Sequence, residues 1–306
     1  MPLPPLTFTG ICVETVDRFF VTAVIDELAN DKVDHTVLLS FSEGTWTSGM
    51  FSKHICGLVL NATVESELMC VSVDGDVHTI SNSGKSKHRI DTSEQGPSRL
   101  VNLCVVRRIG ESMFAAGMAQ RVYRRVDPVS WEAFDAGVFV PREERTEPCG
   151  FLALAGSSED HLCAAGLRGR IWTRGRDGWE ENCSPTKVAL TAVDLMSDGR
   201  FCVGGLLGTV LLGRPGAWSV LDHGETNDDF WGCATFGGKT YLATYKGIYC
   251  LSDDQSQLLP IELWDGSPPS TAVLHVAGDS LWSIGQKDLS YSRDGEVWQS
   301  VQPEVD

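Results

Sequence analysis

The sequence predicts an all-β fold, a single β-propeller of seven four-stranded blades. The first observation behind this prediction is a repeat. The 17 residues from Cys163 to Trp179 recur from Cys202 to Trp218, at an offset of 39 residues. Both segments contain a small-residue pair, a Gly-Leu, a second Gly and a closing Trp. A period near ~40–45 residues with four strands in each unit is typical of propeller blades.

The second observation is the spacing of one small residue in each copy of the repeat. These anchor residues are separated by 49, 39, 39 and 41 residues. They are Gly117, Gly166, Gly205, Thr244 and Gly285. The third observation is that short apolar segments alternate with Gly/Asp turns, as in all-β proteins. One such sheet cannot cover its own two apolar faces, whereas sheets stacked around a closed ring cover both.

Seven copies of the unit fit into one domain, residues 1–306. The predicted blades cover residues 5–48, 54–92, 98–136, 149–184, 189–223, 229–262 and 270–303. The copies are weakest in blades one and two, where no Trp follows "KSKHRI", so six blades and an irregular cap are the alternative. Each blade is complete within its own segment. Ring closure is therefore expected from packing between the first and last blades, without an exchanged strand.

Five Trp residues fall at equivalent positions in the copies and are predicted to pack as large wedges between adjacent blades. They are Trp46, Trp131, Trp179, Trp218 and Trp298. The Gly after the second strand can adopt a positive φ at no steric cost and lets neighbouring backbones approach each other. Both residue types are therefore assigned to the scaffold.

The segment "SRDGEVW", Ser292 to Trp298, resembles an Asp-box, the hairpin motif of sialidase-type repeats. It is one residue short, and Val297 replaces the Thr of the motif. "TRGRDGWEE" from Thr173 is a looser copy. On these motifs and the repeated glycine-bearing strands, the chain resembles the bacterial BNR-like or YVTN/WD40-like propellers. That resemblance implies a fold and no substrate, since an Asp-box organises a hairpin.

The formal net charge of −16 is unevenly distributed. Residues 187–306 carry 7 basic and 16 acidic residues, whereas residues 101–186 carry 11 and 12. Such a field repels nucleic acid and anionic membranes and accelerates encounter with a basic partner. The sequence shows no signal-peptide pattern and no apolar run of ~18 residues. We therefore expect a cytoplasmic protein whose partner is a protein with a basic patch, and neither nucleic acid nor a membrane.

Motifs for chemistry are incomplete. "GKT" at residues 238–240 lacks the earlier Gly of a phosphate-binding loop, because Cys233 occupies that position. The ten Cys residues are single, which is typical of buried thiols. We expect no cofactor, no metal and no enzyme activity. The alternative is a hydrolase or lyase in the central channel, with Asp194, Arg107 and His275 on the presumed innermost strands.

The favoured interpretation is a protein-binding disc that uses its loops, since a rigid scaffold can hold recognition loops in place. Phe230–Trp231 beside Asp228–Asp229 combines an aromatic anchor with charge, as interface hot spots do; burial of Trp231 in an inner strand explains the pair equally well. The predicted contacts are Asp228, Asp229, Phe230, Trp231, Trp264 and Asp265. The predicted rim on neighbouring turns is Arg168, Tyr245, Lys246 and Lys287.

An acidic, single-domain propeller without catalytic motifs is similar to some bacterial immunity proteins. These proteins bind and block a toxin made by the same cell. The resemblance implies that the partner is a toxin or effector domain. An assembly factor is a variant of the same hypothesis.

Overall fold

The chain forms seven antiparallel sheets of four strands each in its computed structural model, which describes residues 4–61, 66–99, 102–262 and 270–304. Within each sheet the four strands are consecutive in sequence and lie side by side in that order or its reverse. The innermost strands of successive blades are neighbours around the ring, including those of the last and first blades. The seven-bladed prediction is confirmed, and the alternative of six blades and a cap is wrong.

The strands are numbered in chain order, four to a blade. Blades 1 and 2 contain β1 (Leu6–Thr15), β2 (Arg18–Ile25), β3 (Thr36–Ser42), β4 (Thr45–Phe51), β5 (Ile55–Asn61), β6 (Glu67–Ser72), β7 (Asp76–Ser81) and β8 (Gly84–Arg89). Blades 3 and 4 contain β9 (Leu103–Ile109), β10 (Ser112–Gly117), β11 (Val122–Arg125), β12 (Trp131–Ala133), β13 (Phe151–Ser158), β14 (His161–Gly166), β15 (Ile171–Gly175) and β16 (Gly178–Asn182).

Blades 5, 6 and 7 complete the ring. They contain β17 (Leu190–Leu195), β18 (Phe201–Gly205), β19 (Val210–Arg214), β20 (Ala217–Val220), β21 (Gly232–Phe236), β22 (Lys239–Ala243), β23 (Ile248–Leu251), β24 (Leu258–Pro260), β25 (Val273–Ala277), β26 (Ser280–Ile284), β27 (Leu289–Ser292) and β28 (Trp298–Val301). Each sheet lies within the segment predicted for it, except that β4 continues to Phe51, beyond the predicted limit at residue 48.

Helical structure is confined to short connections. The helix α1 (Asp26–Asn30) has five residues and joins β2 to β3. Two 3-10 turns cover Arg142–Glu144 and Leu167–Gly169. In the described ranges, no helix has the length and apolar character needed to cross a membrane.

The apolar core is divided into seven clusters of buried side chains, and each cluster joins two successive blades. The five predicted Trp wedges each pack on a different cluster, always as a residue of the later blade. Three of their indole N–H groups donate to the preceding blade: Trp131 to His88, Trp179 to Phe134 and Trp218 to Asn182. The wedge assignment is therefore confirmed.

Blades 2 and 6 have another residue at the position that Trp occupies in the other five blades. Leu258 pairs with Leu251 at this position in blade 6, and Lys85 pairs with Ile80 in blade 2. Leu258 is fully buried, so an aliphatic side chain occupies the Trp position at the interface between blades 5 and 6. Lys85 is exposed. This explains why blade 2 is the weakest copy in the sequence.

The anchor glycines serve close backbone approach. A Cβ atom at Gly166 would lie 1.9 Å from the carbonyl oxygen of Gly150, and one at Gly285 would lie 1.8 Å from that of Ser270. Neither glycine has a positive φ. The close approach of backbones is therefore what requires Gly here, because the segment that leads into the first strand of the same blade passes against the end of the second strand.

Ring closure joins blade 7 to blade 1 by packing, as expected, and by polar contacts that the sequence did not indicate. Phe19 and Trp282 are buried, with ring centroids 4.7 Å apart. The backbone N–H of Phe8 donates to the carbonyl oxygen of Gln286 over 3.0 Å. Lys287 Nζ donates to Asp26 Oδ2 over 2.6 Å and to the carbonyl oxygen of Leu6 over 2.7 Å. No strand is exchanged between the described parts of these blades.

The Asp-box-like segment forms a turn stabilised by its own side chains. Asp294 Oδ1 accepts the backbone N–H groups of Glu296 and Val297, each over 2.8 Å. Ser292 Oγ accepts the N–H of Gly295 over 2.8 Å. The Ser and Asp side chains of the motif thus accept backbone N–H groups, including that of its Gly, in the turn that joins β27 to β28.

The Trp wedges generate a stability prediction. Trp218→Ala should lower the free energy of unfolding by about 2–4 kcal/mol, slightly below the usual range for a fully buried Trp, because this side chain is half-buried. Denaturant unfolding followed by circular dichroism measures the change. Val220→Ala, at an exposed position of the same strand, is the matched control and should change stability by less than about 0.5 kcal/mol. Equal midpoints for Trp218→Ala and the parent would contradict the wedge role.

Candidate partner surface and central channel

One face of the disc carries both the turns between second and third strands and the links between blades; we call it the link face. Because strands alternate in direction, these segments of every blade emerge on the same side. Three large apolar side chains are exposed on this face at blades 5 and 6. They are Leu207, Trp231 and Tyr245, which are 69%, 36% and 45% exposed, and we call them the aromatic patch.

The turn from β18 to β19 holds Leu207 in the solvent. Leu207 has a φ of +56°, and its N–H donates to Asp229 Oδ1 over 2.8 Å. Gly208 follows with a φ of +66°, and a Cβ there would lie 2.2 Å from the carbonyl oxygen of Thr226. The turn is therefore tied to the link between blades 5 and 6, and the Leu207 side chain is forced outward.

Phe230 is fully buried, and its predicted role as a surface anchor is wrong. It packs in the cluster between blades 5 and 6 with Val210 and Leu242. Its N–H donates to the carbonyl oxygen of Gly205 over 3.0 Å. The sequence alone does not show which side chain of the pair Phe230–Trp231 points into the core. In the structure, packing places Phe230 inward. Phe230 thereby fixes the end of the link and the position of the residue after it.

Trp231 lies on the surface beside Tyr245. Their ring centroids are 5.6 Å apart at 43°, and the N–H of Trp231 donates to the carbonyl oxygen of Ala243 over 2.8 Å. Trp231 is also one of the residues that line the central channel. A rigid, partly exposed aromatic pair is the kind of surface that supplies interface hot spots, because both rings are preorganised and retain apolar area.

The cations predicted as a rim are already paired within the chain. Lys246 Nζ lies 2.7 Å from Asp228 Oδ1, and this hydrogen bond raises the pKa of Lys246. Arg168 contacts Glu147 over 2.8 Å. Lys287 belongs to the ring closure described above, which is a structural role. These three residues therefore do not form a rim of unpaired cations.

Two predicted contact residues, Trp264 and Asp265, lie outside the described residues. Conversely, Leu207 was missed by the sequence reasoning. The available signal was its position between two glycines of the repeated turn, "GLLGT", where a left-handed conformation turns the side chain away from the sheet.

The central channel is a cavity of about 520 Å³ lined by the innermost strands of all seven blades. The sequence-predicted residues Arg107, Asp194 and His275 lie on β9, β17 and β25, and all three line it. Their placement on innermost strands is confirmed. In the described part of the chain, no three His, Cys, Asp or Glu side chains gather as a metal site would require.

Burial determines the protonation of the channel residues. It raises the pKa of Asp194, and the charge of Arg107 and a hydrogen bond from the Thr235 N–H, 2.6 Å from Oδ2, only partly oppose the effect. Burial, with a smaller contribution from Arg107, lowers the pKa of His275 to about 4. His275 is therefore neutral at pH 7, and Asp194 links the innermost strands of blades 5 and 6.

The fold and these surfaces define a seven-bladed β-propeller with an exposed aromatic patch and a polar central channel. No protein-family model matches the chain. The chain is similar to "Immune protein Tsi7" of Pseudomonas aeruginosa, with 28% identity over 298 residues that cover 96% of each chain.

Solved structures with much lower identity share the fold. YCF48 from Cyanidioschyzon merolae has a TM-score of 0.65 at 13% identity, over 94% of this chain and 95% of that one. The WD40 β-propeller domain of Doa1 has a TM-score of 0.66 at 10% identity, over 95% and 96%. These likenesses support the propeller architecture.

The raised pKa of Asp194 predicts a pH-dependent effect of Asp194→Asn, which keeps the acceptor for Thr235. Because the folded-state pKa lies above the unfolded value of about 3.9, ionisation of Asp194 costs stability. That cost is absent below the unfolded pKa and complete above the folded one. The variant should therefore gain in melting temperature over the parent as pH rises from 3.5 to 7, as thermal unfolding at each pH would show.

Asp198→Asn is the control of opposite sign. Burial raises the pKa of Asp198, but hydrogen bonds from Arg200 and Gln255 lower it overall. Ionised Asp198 therefore contributes stability above its unfolded pKa. The melting temperature of Asp198→Asn should fall below that of the parent as pH rises from 3.5 to 7. Parallel pH profiles for the parent and Asp194→Asn would contradict the raised pKa.

Proposed function

We propose that this chain is an immunity protein that binds a cognate bacterial toxin and blocks it without catalysis. The observation that carries the proposal is the similarity to Tsi7, a protein named as an immune protein, over 96% of both chains. A match along the whole ring indicates that all seven blades and their loops have counterparts. Action in the cytoplasm is part of the proposal, since a toxin that reached the cytoplasm would have to be neutralised there.

The aromatic patch is the proposed contact surface. Leu207, Trp231 and Tyr245 are exposed on segments whose backbones are fixed by hydrogen bonds to their neighbours. Such preorganisation reduces the entropy lost on binding. Buried Phe230 supports the patch from below, so its position does not depend on a mobile loop.

The acidic link between blades 5 and 6 adds long-range attraction to a basic partner. Asp222 and Glu225 are exposed, and their carboxylates make no ion pair or hydrogen bond with the described residues. Asp228, by contrast, is neutralised by Lys246. The net steering charge of this link therefore resides mainly in the two unpaired carboxylates and Asp229.

The first test is biological. The chain is co-expressed with the product of a toxin gene adjacent to its own, and growth and copurification are measured. We expect growth to be restored and the two proteins to copurify as one complex. A chain that remains alone while each adjacent toxin stays active would overturn the immunity role.

The contact surface generates a kinetic prediction. Trp231→Ala should accelerate dissociation of the toxin by roughly 30-fold, equivalent to about 2 kcal/mol, because it removes a central aromatic anchor. Val297→Ala removes an exposed apolar side chain from the opposite face and should leave dissociation unchanged. Surface plasmon resonance measures both rates, and unchanged dissociation for Trp231→Ala would place the interface elsewhere.

Charge reversal tests the steering. Asp222→Lys with Glu225→Lys should slow association about tenfold at low salt, and the difference should shrink at high salt because the Debye length falls to about 3 Å at 1 M. Asp177→Lys with Asp253→Lys makes the same charge change in exposed turns of the opposite face. This control should have a much smaller effect. If both double variants slowed association equally, the net charge of the protein, and not the charge of this link, would determine the association rate.

A further inference from the structure

Arg107, Asp194 and His275 occupy the same layer of the central channel. They pair with Phe114, Cys202 and Trp282. Each of those residues precedes the anchor glycine of its blade by three positions. The three polar side chains therefore stand at equivalent positions on blades 3, 5 and 7.

The other four blades place small or apolar residues at this position. By the same register they are Cys12, Val59, Ala155 and Ala234. Packing between blades thus accepts a small apolar side chain here, and the scaffold does not require charge. The three polar residues are departures from the repeat, concentrated in one layer.

Arg107 has no partner that would explain its presence. Among the described residues, its guanidinium makes no ion pair and no hydrogen bond, whereas its neighbour Arg108 pairs with Glu111. Its charge contributes a lowering of the pKa to groups on four other blades, namely Cys12, Asp194, Cys233 and His275. The guanidinium therefore faces the interior of the ring, where five donors remain available.

Asp194 brings a carboxyl group into the same layer without forming an ion pair with Arg107. No ion pair joins Arg107 or Asp194 to another described residue, and Asp194 Oδ2 accepts the backbone N–H of Thr235. His275 is a neutral hydrogen-bonding group in the same layer. The free edges of the innermost strands add backbone donors and acceptors along the walls. A cavity of about 520 Å³ falls within the range of small-molecule sites.

We propose that the central channel binds a small zwitterion of the free amino acid class, with its carboxylate on Arg107 and its ammonium group on Asp194. A guanidinium presents a planar fork that suits a carboxylate. A zwitterion satisfies both side chains, whereas a simple anion or a simple cation satisfies only one of them. His275 offers one further hydrogen bond to the ligand. This inference is independent of the toxin-binding role, since it concerns other side chains.

The experiment uses matched sets of ligands with the full-length protein. Isothermal titration calorimetry and thermal shift at pH 7 compare L-alanine with propionate and ethylamine, and L-leucine with 4-methylpentanoate and 3-methylbutylamine, each up to 10 mM. We expect heat and a raised melting temperature only with the amino acids. If neither amino acid bound, or if the carboxylates bound equally well, the proposal would be overturned.

Variants then test the two charges. Arg107→Met and Asp194→Asn should each weaken binding at least tenfold, whereas Arg108→Met and Asp198→Asn should bind as the parent does. Circular dichroism checks folding, and Arg107→Lys serves if Arg107→Met does not fold. Arg107→Lys should weaken binding several-fold, because Lys keeps the positive charge but lacks the planar guanidinium that binds a carboxylate with two hydrogen bonds. Undiminished binding by the Arg107 and Asp194 variants would overturn the assignment.

Discussion

The two apolar faces of each four-stranded sheet are the constraint on which the rest of the structure depends. Neither face can be covered within a blade, so each blade needs a neighbour on both sides, and only a closed ring satisfies every blade. The seven clusters, one at each interface, are the result. The junction of blades 7 and 1 is apolar like the others, and Lys287 adds contacts to blade 1 on the link face.

The fold was predictable because its determinants are local. The Gly anchors and Trp wedges recur within about 40 residues of one another, and each follows from a contact inside a blade or with the preceding one. The contact between Asp26 and Lys287 spans 261 residues, and no pattern in either segment indicates it. Similarly, the sequence could not decide which of Phe230 and Trp231 is buried, since that depends on the space left by blade 6.

The candidate surfaces were predictable to different degrees for a related reason. Placement of Arg107, Asp194 and His275 on innermost strands follows from the order of strands in the repeat. Side chains on turns have no such rule: Lys246 and Arg168 were predicted as part of a rim that contacts the partner, yet each pairs with an acidic residue from another segment. Charge composition therefore predicts the long-range field of the disc better than it predicts any single contact.

Departures from the repeat are where a propeller can carry function, because equivalent positions experience the same packing requirement. Trp231 is another such departure, at a position outside the layer that contains Arg107, Asp194 and His275. The residues equivalent to it on blades 3, 4 and 5 are Cys104, Leu152 and Thr191, which are all smaller. The scaffold tolerates these small residues, so a Trp is not needed to close the ring at this point. Trp231 lines the central channel and also packs against Tyr245 on the exposed surface, so this departure from the repeat lies where the two candidate surfaces meet.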